Sequence, residues 1–244
     1  MKILLQRVLI APMIFFILMK LSLAGGIETS PTHLRISSEG PVAVLRVANT
    51  NTKPMTFQVQ TYKWTQDGQT PTNKLIVTPP IFTVAPNKTQ IIRFGFYKLK
   101  ESNLQQTFRV SLKELPYKEG SSKKNKFSVK VLLDISIPLT VAPKGNIIKT
   151  LTAELFKKED KLYFKVNNTG NVYVYFNKVT FEANGKTLSL DTHDNHVLAH
   201  QSREWVIPSK NLPKAKEFKV VMDNSFGDFQ GNFKLGVVKD FTSK

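Results

Sequence analysis

The chain has 244 residues, 41% of them hydrophobic and 22% charged, with 35 Lys and Arg against 18 Asp and Glu for a formal net charge of +17, and no cysteine. The length allows two domains, each with its own core, and the absence of cysteine excludes disulfide stapling, zinc-finger chemistry and thiol chemistry. The positive balance is compatible with nucleic acid, anionic lipid or an acidic protein partner, but the lysines are dispersed over strands and turns, as in any soluble basic protein.

The N-terminus has the physics of an export signal. Lys2 and Arg7 precede an apolar run from Val8 to Met19, and Ser22-Leu23-Ala24 offers small residues for cleavage. Cleavage after Ala24 predicts a mature chain from Gly25, soluble and outside the cytoplasm, since the apolar run is shorter than the roughly 20 residues that span a bilayer. Nucleic acid is then the least fitting of the three partner classes.

The mature chain reads as short strands. Thr29 to Ile36 is extended, with Leu34 and Ile36 on one side and His33 and Arg35 on the other. After Glu39-Gly40-Pro41 the residues Val42 to Val47 alternate, and Asn49 to Pro54 is a turn. Met55 to Trp64 places Phe57, Val59 and Thr61 opposite Gln58, Gln60 and Tyr62, and Gln66-Asp67-Gly68 is a turn signal. Pro79-Pro80 cannot sit in a central ladder, so Leu75 to Pro86 is a short edge piece followed by a kinked crossing segment. Gln90 to Phe96 and Thr107 to Leu115 are further strands, and the polar loop Tyr117 to Lys126 leads into the most unusual stretch of the sequence.

That stretch is Phe127 to Val141. Phe127, Val129, Val131, Leu133, Ile135, Ile137, Leu139 and Val141 are all apolar, and the residues between them are mostly polar, with Leu132 and Pro138 the exceptions. A period of two puts the apolar set on one face of a strand. As one strand it would run about 50 Å at roughly 3.3 Å per residue, longer than a small sandwich needs. It reads either as a core strand with a long edge or as a strand whose first half offers side chains to another chain.

Ala142 to Asn146 punctuates the sequence and marks the expected domain boundary, giving a signal over 1–24, a first domain over 25–142 and a second over 147–244. In the second half Leu151 to Phe156, Lys161 to Asn167, Val172 to Phe181, Lys186 to Leu190, Ser202 to Ile207 and Glu217 to Met222 read as strands. The expected class is all-β, with two immunoglobulin-like sandwiches. No hydrolase elbow, nucleotide loop, zinc-protease or dinucleotide motif is present. His193, His196 and His200 with Asp191 and Asp194 have metal-like spacing but sit in a loop context, so neither a metal site, a cofactor nor an enzyme is expected.

Several pieces together resemble the PapD-like periplasmic chaperones of chaperone–usher pilus assembly. They are Ser30-Pro31-Thr32, Leu45 to Thr50, Tyr62-Lys63-Trp64, Val77 to Phe82 with Ala85-Pro86, Ile92-Arg93, Phe108-Arg109, Glu114-Leu115-Pro116, the alternating strand, Val166 to Asn171, and Leu198-Ala199 to Trp205. Trp64 to Gly68 and Ile137-Pro138-Leu139 are more similar to the archaic, Csu-type branch. The resemblance implies two domains in an L-shaped arrangement in the periplasm. It implies fimbrial subunits as partners, bound by donation of the long strand through Phe127, Val129, Val131, Leu133 and Ile135, and delivery to an outer-membrane usher.

Members of the family clamp the subunit's terminal carboxylate with an Arg on the first strand and a Lys on the long strand. Here His33 stands at the Arg position and Pro138 at the Lys position, so the resemblance leaves the clamp to be rebuilt from candidates His33, Arg35, Arg93 and Arg109. The competing readings are a structural or adhesive envelope protein and a basic binder of polyanions. An exposed apolar strand also implies a hazard of self-association.

Overall fold

The computed structural model describes residues 26–116, 131–159, 161–190, 195–207 and 215–242. The described residues contain strands and turns but no helix, and hence no helix long and apolar enough to cross a membrane.

The first ten strands are β1 (Ile27–Ser30), β2 (Leu34–Ile36), β3 (Ala43–Asn49), β4 (Met55–Thr65), β5 (Gly68–Pro71), β6 (Leu75–Thr78), β7 (Ile81–Val84), β8 (Thr89–Phe96), β9 (Gln106–Leu115) and β10 (Asp134–Val141). One sheet has the order β1-β3-β8-β6, and the other β2-β10-β9-β4-β5 with β7 also paired to β4. The extended segment expected over Thr29 to Ile36 is split: β1 pairs with β3 in one sheet, and after Pro31 the chain passes to β2 in the other. Pro79-Pro80 does the same for β6 and β7, which belong to opposite sheets as a crossing segment requires.

Alternation fills the space between these sheets. Leu45, Val47, Phe57, Ile92, Phe94, Val110, Leu112 and Leu139 are fully or almost fully buried in one cluster. With each large side chain worth roughly 1.5–3 kcal/mol when buried, this packing supplies what disulfides supply elsewhere.

The remaining strands are β11 (Thr150–Lys158), β12 (Lys161–Asn168), β13 (Val174–Ala183), β14 (Lys186–Leu190), β15 (His196–Val197), β16 (Ser202–Ile207), β17 (Glu217–Asn224), β18 (Gly227–Lys234) and β19 (Val238–Thr242). They form sheets of order β16-β12-β11-β19 and β14-β13-β17-β18, with β15 paired to β13. A second cluster, centred on Phe164, Phe176, Phe181 and Phe233, lies between them. The turn at Asn184-Gly185 has positive φ at both residues (50° and 72°), the conformation of a tight hairpin between β13 and β14.

A buried asparagine does the same job in each domain. Asn49 donates its side-chain amide to the carbonyls of Lys53 and Val84 and accepts from the Asn51 N–H. Asn168 donates to the carbonyls of Val172 and Val197 and accepts from the Gly170 N–H. These amides satisfy backbone groups where the chain leaves a strand inside the sandwich. Asn168→Ala strips this partner from two carbonyls, while the Gly170 N–H keeps the Thr150 carbonyl, and at about 1–3 kcal/mol for each buried group left unmet it is expected to lower stability by about 2–6 kcal/mol, read as a shift in the denaturant midpoint of the second domain.

Candidate functional site

The alternating stretch runs out of its own domain. Val141, Leu139 and Ile137 are buried at 2%, 0% and 3% exposure, Ile135 packs partly against the core, Leu133 is 38% exposed and Val131 is 80% exposed. These residues share one parity, so the apolar row continues past the point where its own core can cover it.

The backbone follows the same gradient. β10 pairs with β9 along its whole length, from Asp134↔Lys113 to Val141↔Gln106, but its other edge is covered by β2 only from Leu139 to Val141. Residues 134–138 therefore have ladder partners on one side among the described residues. Of the strand expected over 127–141, the described residues 131–133 lie outside the ladder, which begins at Asp134. Before it, Leu133 is tied to Glu114, accepting from its N–H at 2.8 Å and donating to its carboxylate at 3.1 Å. Ser111 donates to Asp134 on the outer face. Phe127 and Val129 lie outside the described residues.

The outer face of this sheet meets the second domain. Trp64 is on the β4 face pointing away from the first core, yet it is only 8% exposed. The Arg109 guanidinium lies 4.0 Å above its ring, and His196 and Tyr173 of the second domain pack against its edge. Two glutamines complete the joint. Gln66 donates to the His196 carbonyl and accepts from the Leu198 N–H, and Gln105 accepts from the Tyr173 N–H through its side chain while its own N–H donates to the Asn171 carbonyl.

His33 belongs to this joint. One ring nitrogen is 2.9 Å from the Thr140 hydroxyl on β10, and the other is 3.2 Å from the Tyr173 hydroxyl in the second domain. Burial, and then the Arg35 and Arg109 charges, lower its pKa from 6.5 to about 4. A neutral imidazole can donate from one nitrogen and accept at the other, matching two hydroxyls that can do either. Burial likewise raises the Tyr173 phenol above its ordinary pKa.

Beside the joint is an interdomain cleft of about 410 Å³, whose lining includes His33, Arg35, Thr140, Lys149, Tyr173 and Tyr175. Three of the four anchor candidates gather in this region: His33 and Arg35 line the cleft, and Arg109 stacks on Trp64 just behind. Arg93 does not join them. It is exposed on β8, paired with Val44 and Thr78 in the opposite sheet.

Of the histidine-rich segment, Asp191, His193 and Asp194 lie outside the described residues. His196 packs on Trp64, and His200 occupies a turn with φ 56°. Gln105, Tyr173 and Lys149 carry no sequence signal of their own, and Gln66 is announced only as part of a turn, since their importance comes from an interface that no periodicity announces.

Two immunoglobulin-like sandwiches, joined through a polar and aromatic seam, with an apolar row running past the edge of the first, define a class of two-domain all-β proteins. Residues 26–146 match the family described as "Pili and flagellar-assembly chaperone, PapD N-terminal domain". The probable fimbrial chaperone LpfB of Escherichia coli O157:H7 is 29% identical over 177 residues, covering 68% of this chain and 71% of that protein. Among solved structures, the YadV chaperone shares the fold with a TM-score of 0.64 at 20% identity, covering 86% of this chain and 99% of that one. The CsuC–CsuE chaperone–tip adhesion subunit complex of Acinetobacter baumannii gives 0.62 at 17% identity, covering 86% and 98%. The SafA pilin–SafB chaperone complex of Salmonella enterica gives 0.59 at 16%, covering 86% and 96%. The chain belongs to the PapD-like pilus-assembly chaperones.

The His33 environment makes acid sensitivity a property of the joint. Its folded pKa lies below the unfolded one, so between about 6.5 and 4 the unfolded state binds more protons. Stability is then expected to fall as pH drops through that window and to lose no more to this group below it. His33→Gln, which keeps a donor and an acceptor but cannot titrate, is expected to flatten the pH dependence of the unfolding midpoint in that range.

Proposed function

We propose that this chaperone captures a fimbrial subunit by lending it the strand that begins before Asp134, with Phe127, Val129, Val131, Leu133 and Ile135 as the side chains offered. The observation that carries the reading is a pair of successive changes toward the start of β10: the ladder partner on one side ends at Leu139, and before Ile135 the apolar side chains Leu133 and Val131 are exposed. An extended chain laid along an open edge gains main-chain hydrogen bonds, and alternate side chains fill its pockets. Up to four large side chains, at roughly 1.5–3 kcal/mol each before the cost of association, can hold an incomplete sandwich and still be displaced by a competing strand. Ile135, already packed on the chaperone's own core, sets the limit of the donated segment.

Export by cleavage after Ala24 would place the protein in the periplasm, and handing the subunit to an outer-membrane usher completes the reading. No catalytic step or cofactor is required, because the whole task is reversible strand pairing. The proposed division is a first domain over 25–142 and a second over 147–244. The resemblance of Trp64 to Gly68 and of Ile137-Pro138-Leu139 supports a position near the archaic, Csu-type branch, and Trp64 and Gln66 also contribute to the domain joint.

The test is co-expression of the mature chain with a pilus subunit encoded beside it. Val131→Asp combined with Leu133→Asp puts two charges into the donated face, outside the chaperone's own core, and is expected to abolish the co-purified binary complex while leaving the chaperone's unfolding midpoint unchanged. Normal complex formation by the folded double variant would contradict the reading.

A further inference from the structure

Resting on that reading, we infer that Pro138 sets the boundary between the chaperone's own sheet and the edge it lends: by withholding an N–H from the open side of β10, it ends the β2 pairing at Leu34 and keeps the main-chain groups of Asp134 and Ser136 for the captured strand. The side that each residue faces follows from two hydrogen bonds. The Glu114 N–H donates to the Leu133 carbonyl at 2.8 Å, and in the same register Ile135 stands opposite Leu112 and Ile137 opposite Val110. Odd-numbered residues therefore turn their main-chain groups toward β9. Even-numbered residues turn theirs the other way, and the Ala142 N–H accordingly donates to the Ile36 carbonyl at the end of β2, at 2.8 Å.

Pro138 has the even parity, so the β9 ladder loses nothing to it and the missing N–H falls on the β2 side. β2 runs parallel to β10, with Leu139 opposite Leu34, Thr140 opposite Arg35 and Val141 opposite Ile36. Rungs of a parallel ladder repeat every two residues. One step back from the Ala142–Ile36 bond sets the Thr140 N–H on the Leu34 carbonyl, and a second step would set an N–H at 138 on the Thr32 carbonyl. Proline cannot make that bond, and the pairing ends there. Any other residue would let β2 grow by one rung, bringing the Thr32 N–H to the Ser136 carbonyl, an acceptor the captured strand needs. Growth could go no further, because the chain before Thr32 belongs to β1 in the opposite sheet, with Ser30 opposite Arg46. One proline is therefore enough.

What this leaves for a partner is short and one-ended. Asp134 and Ser136 each turn an N–H and a carbonyl to the edge that no described strand covers, and at Pro138, where a captured strand would run into β2, there is no donor. A captured strand that slid toward β2 would lay a carbonyl against the proline nitrogen and leave it unmet, so its register is set from the chaperone's side. Pro138 also stands opposite Arg109 on β9. A packing role beside that arginine depends on the bulk of the ring, whereas the boundary role depends only on the missing N–H, and the two are separable.

The test uses the full mature chain, alone and in competition with the wild-type chaperone for a co-expressed pilus subunit. Pro138→Ala and Pro138→Val both restore an N–H, the first without the bulk of the ring and the second with most of it. In the free chaperone the new amide at 138 and the amide of Thr32 are expected to exchange at least about tenfold more slowly than the open-edge amide of Ser136. Both variants are expected to lose about tenfold in subunit affinity. Ser136→Pro takes a donor from the lent edge and spares the β9 ladder, so it is expected to keep the wild-type unfolding midpoint and to lose about tenfold in subunit affinity. Fast exchange at 138 in either variant, unchanged subunit affinity in either, or early unfolding of Ser136→Pro would each overturn the inference. If it is overturned while Val131→Asp with Leu133→Asp still abolishes capture, only the role of Pro138 falls. If that double variant captures normally, the strand reading falls and takes this inference with it.

Discussion

The structure turns on a mismatch of lengths. A sandwich of ordinary depth can bury only so many alternate side chains of one strand, and β10 with the residues before it carries more than its domain can cover. Inside the domain the row is closed by the buried Ile137, Leu139 and Val141, and from Leu139 onward the strand has neighbours on both sides. Outside it, Leu133 and Val131 keep the same parity and lose both cover and a second ladder partner. A protein living alone would gain nothing from such an edge, which invites unwanted pairing. Its persistence makes sense when a partner supplies the missing half of the sandwich.

The joint between the domains is chemically of another kind. Little of it is aliphatic. Gln66 and Gln105 use their amides as though they were short pieces of strand, each engaging the backbone of the other domain. Trp64, Tyr173, His196 and Arg109 stack around them, and a neutral His33 ties the long strand to the second domain through two hydroxyls. Directional bonds of this sort fix an orientation, whereas an oily interface of the same area would tolerate sliding. Both β10 and the cleft thereby share one frame, since Thr140 stands near the end of the strand and at the wall of the cleft.

Much of the fold was legible because alternation is a local signal. Phe57 and Val59, or Phe164 and Val166, declare their face from the residues beside them, and the double proline declares its crossing. The ends of β10 were less legible: the alternating pattern continues through Leu133 and Val131 although the ladder stops at Asp134, because periodicity reports which way a side chain points and not whether anything lies there. β18 and β19 have no clear sequence signature, since Gly227, Gly231 and the scattered charges of 227–242 dilute the apolar pattern. The site divided in the same way. The residues proposed as donors are written in the pattern, while the cleft brings Arg35 and Lys149 together across more than a hundred residues. Arg93 and Arg109 are equivalent in local sequence and differ in sheet, with Arg93 on β8 and Arg109 on β9 of the opposite layer.

The central claim is that the stretch before Ile137 is the surface given away. Amide hydrogen exchange reads it directly, residue by residue, in the free chaperone and in its complex with a pilus subunit. The account predicts fast exchange at 131–133 in the free protein and at least about tenfold slowing there and at the open-edged amides of 134–137 in the complex. A complex that forms normally while those amides exchange as before, with protection appearing on another face, would contradict it.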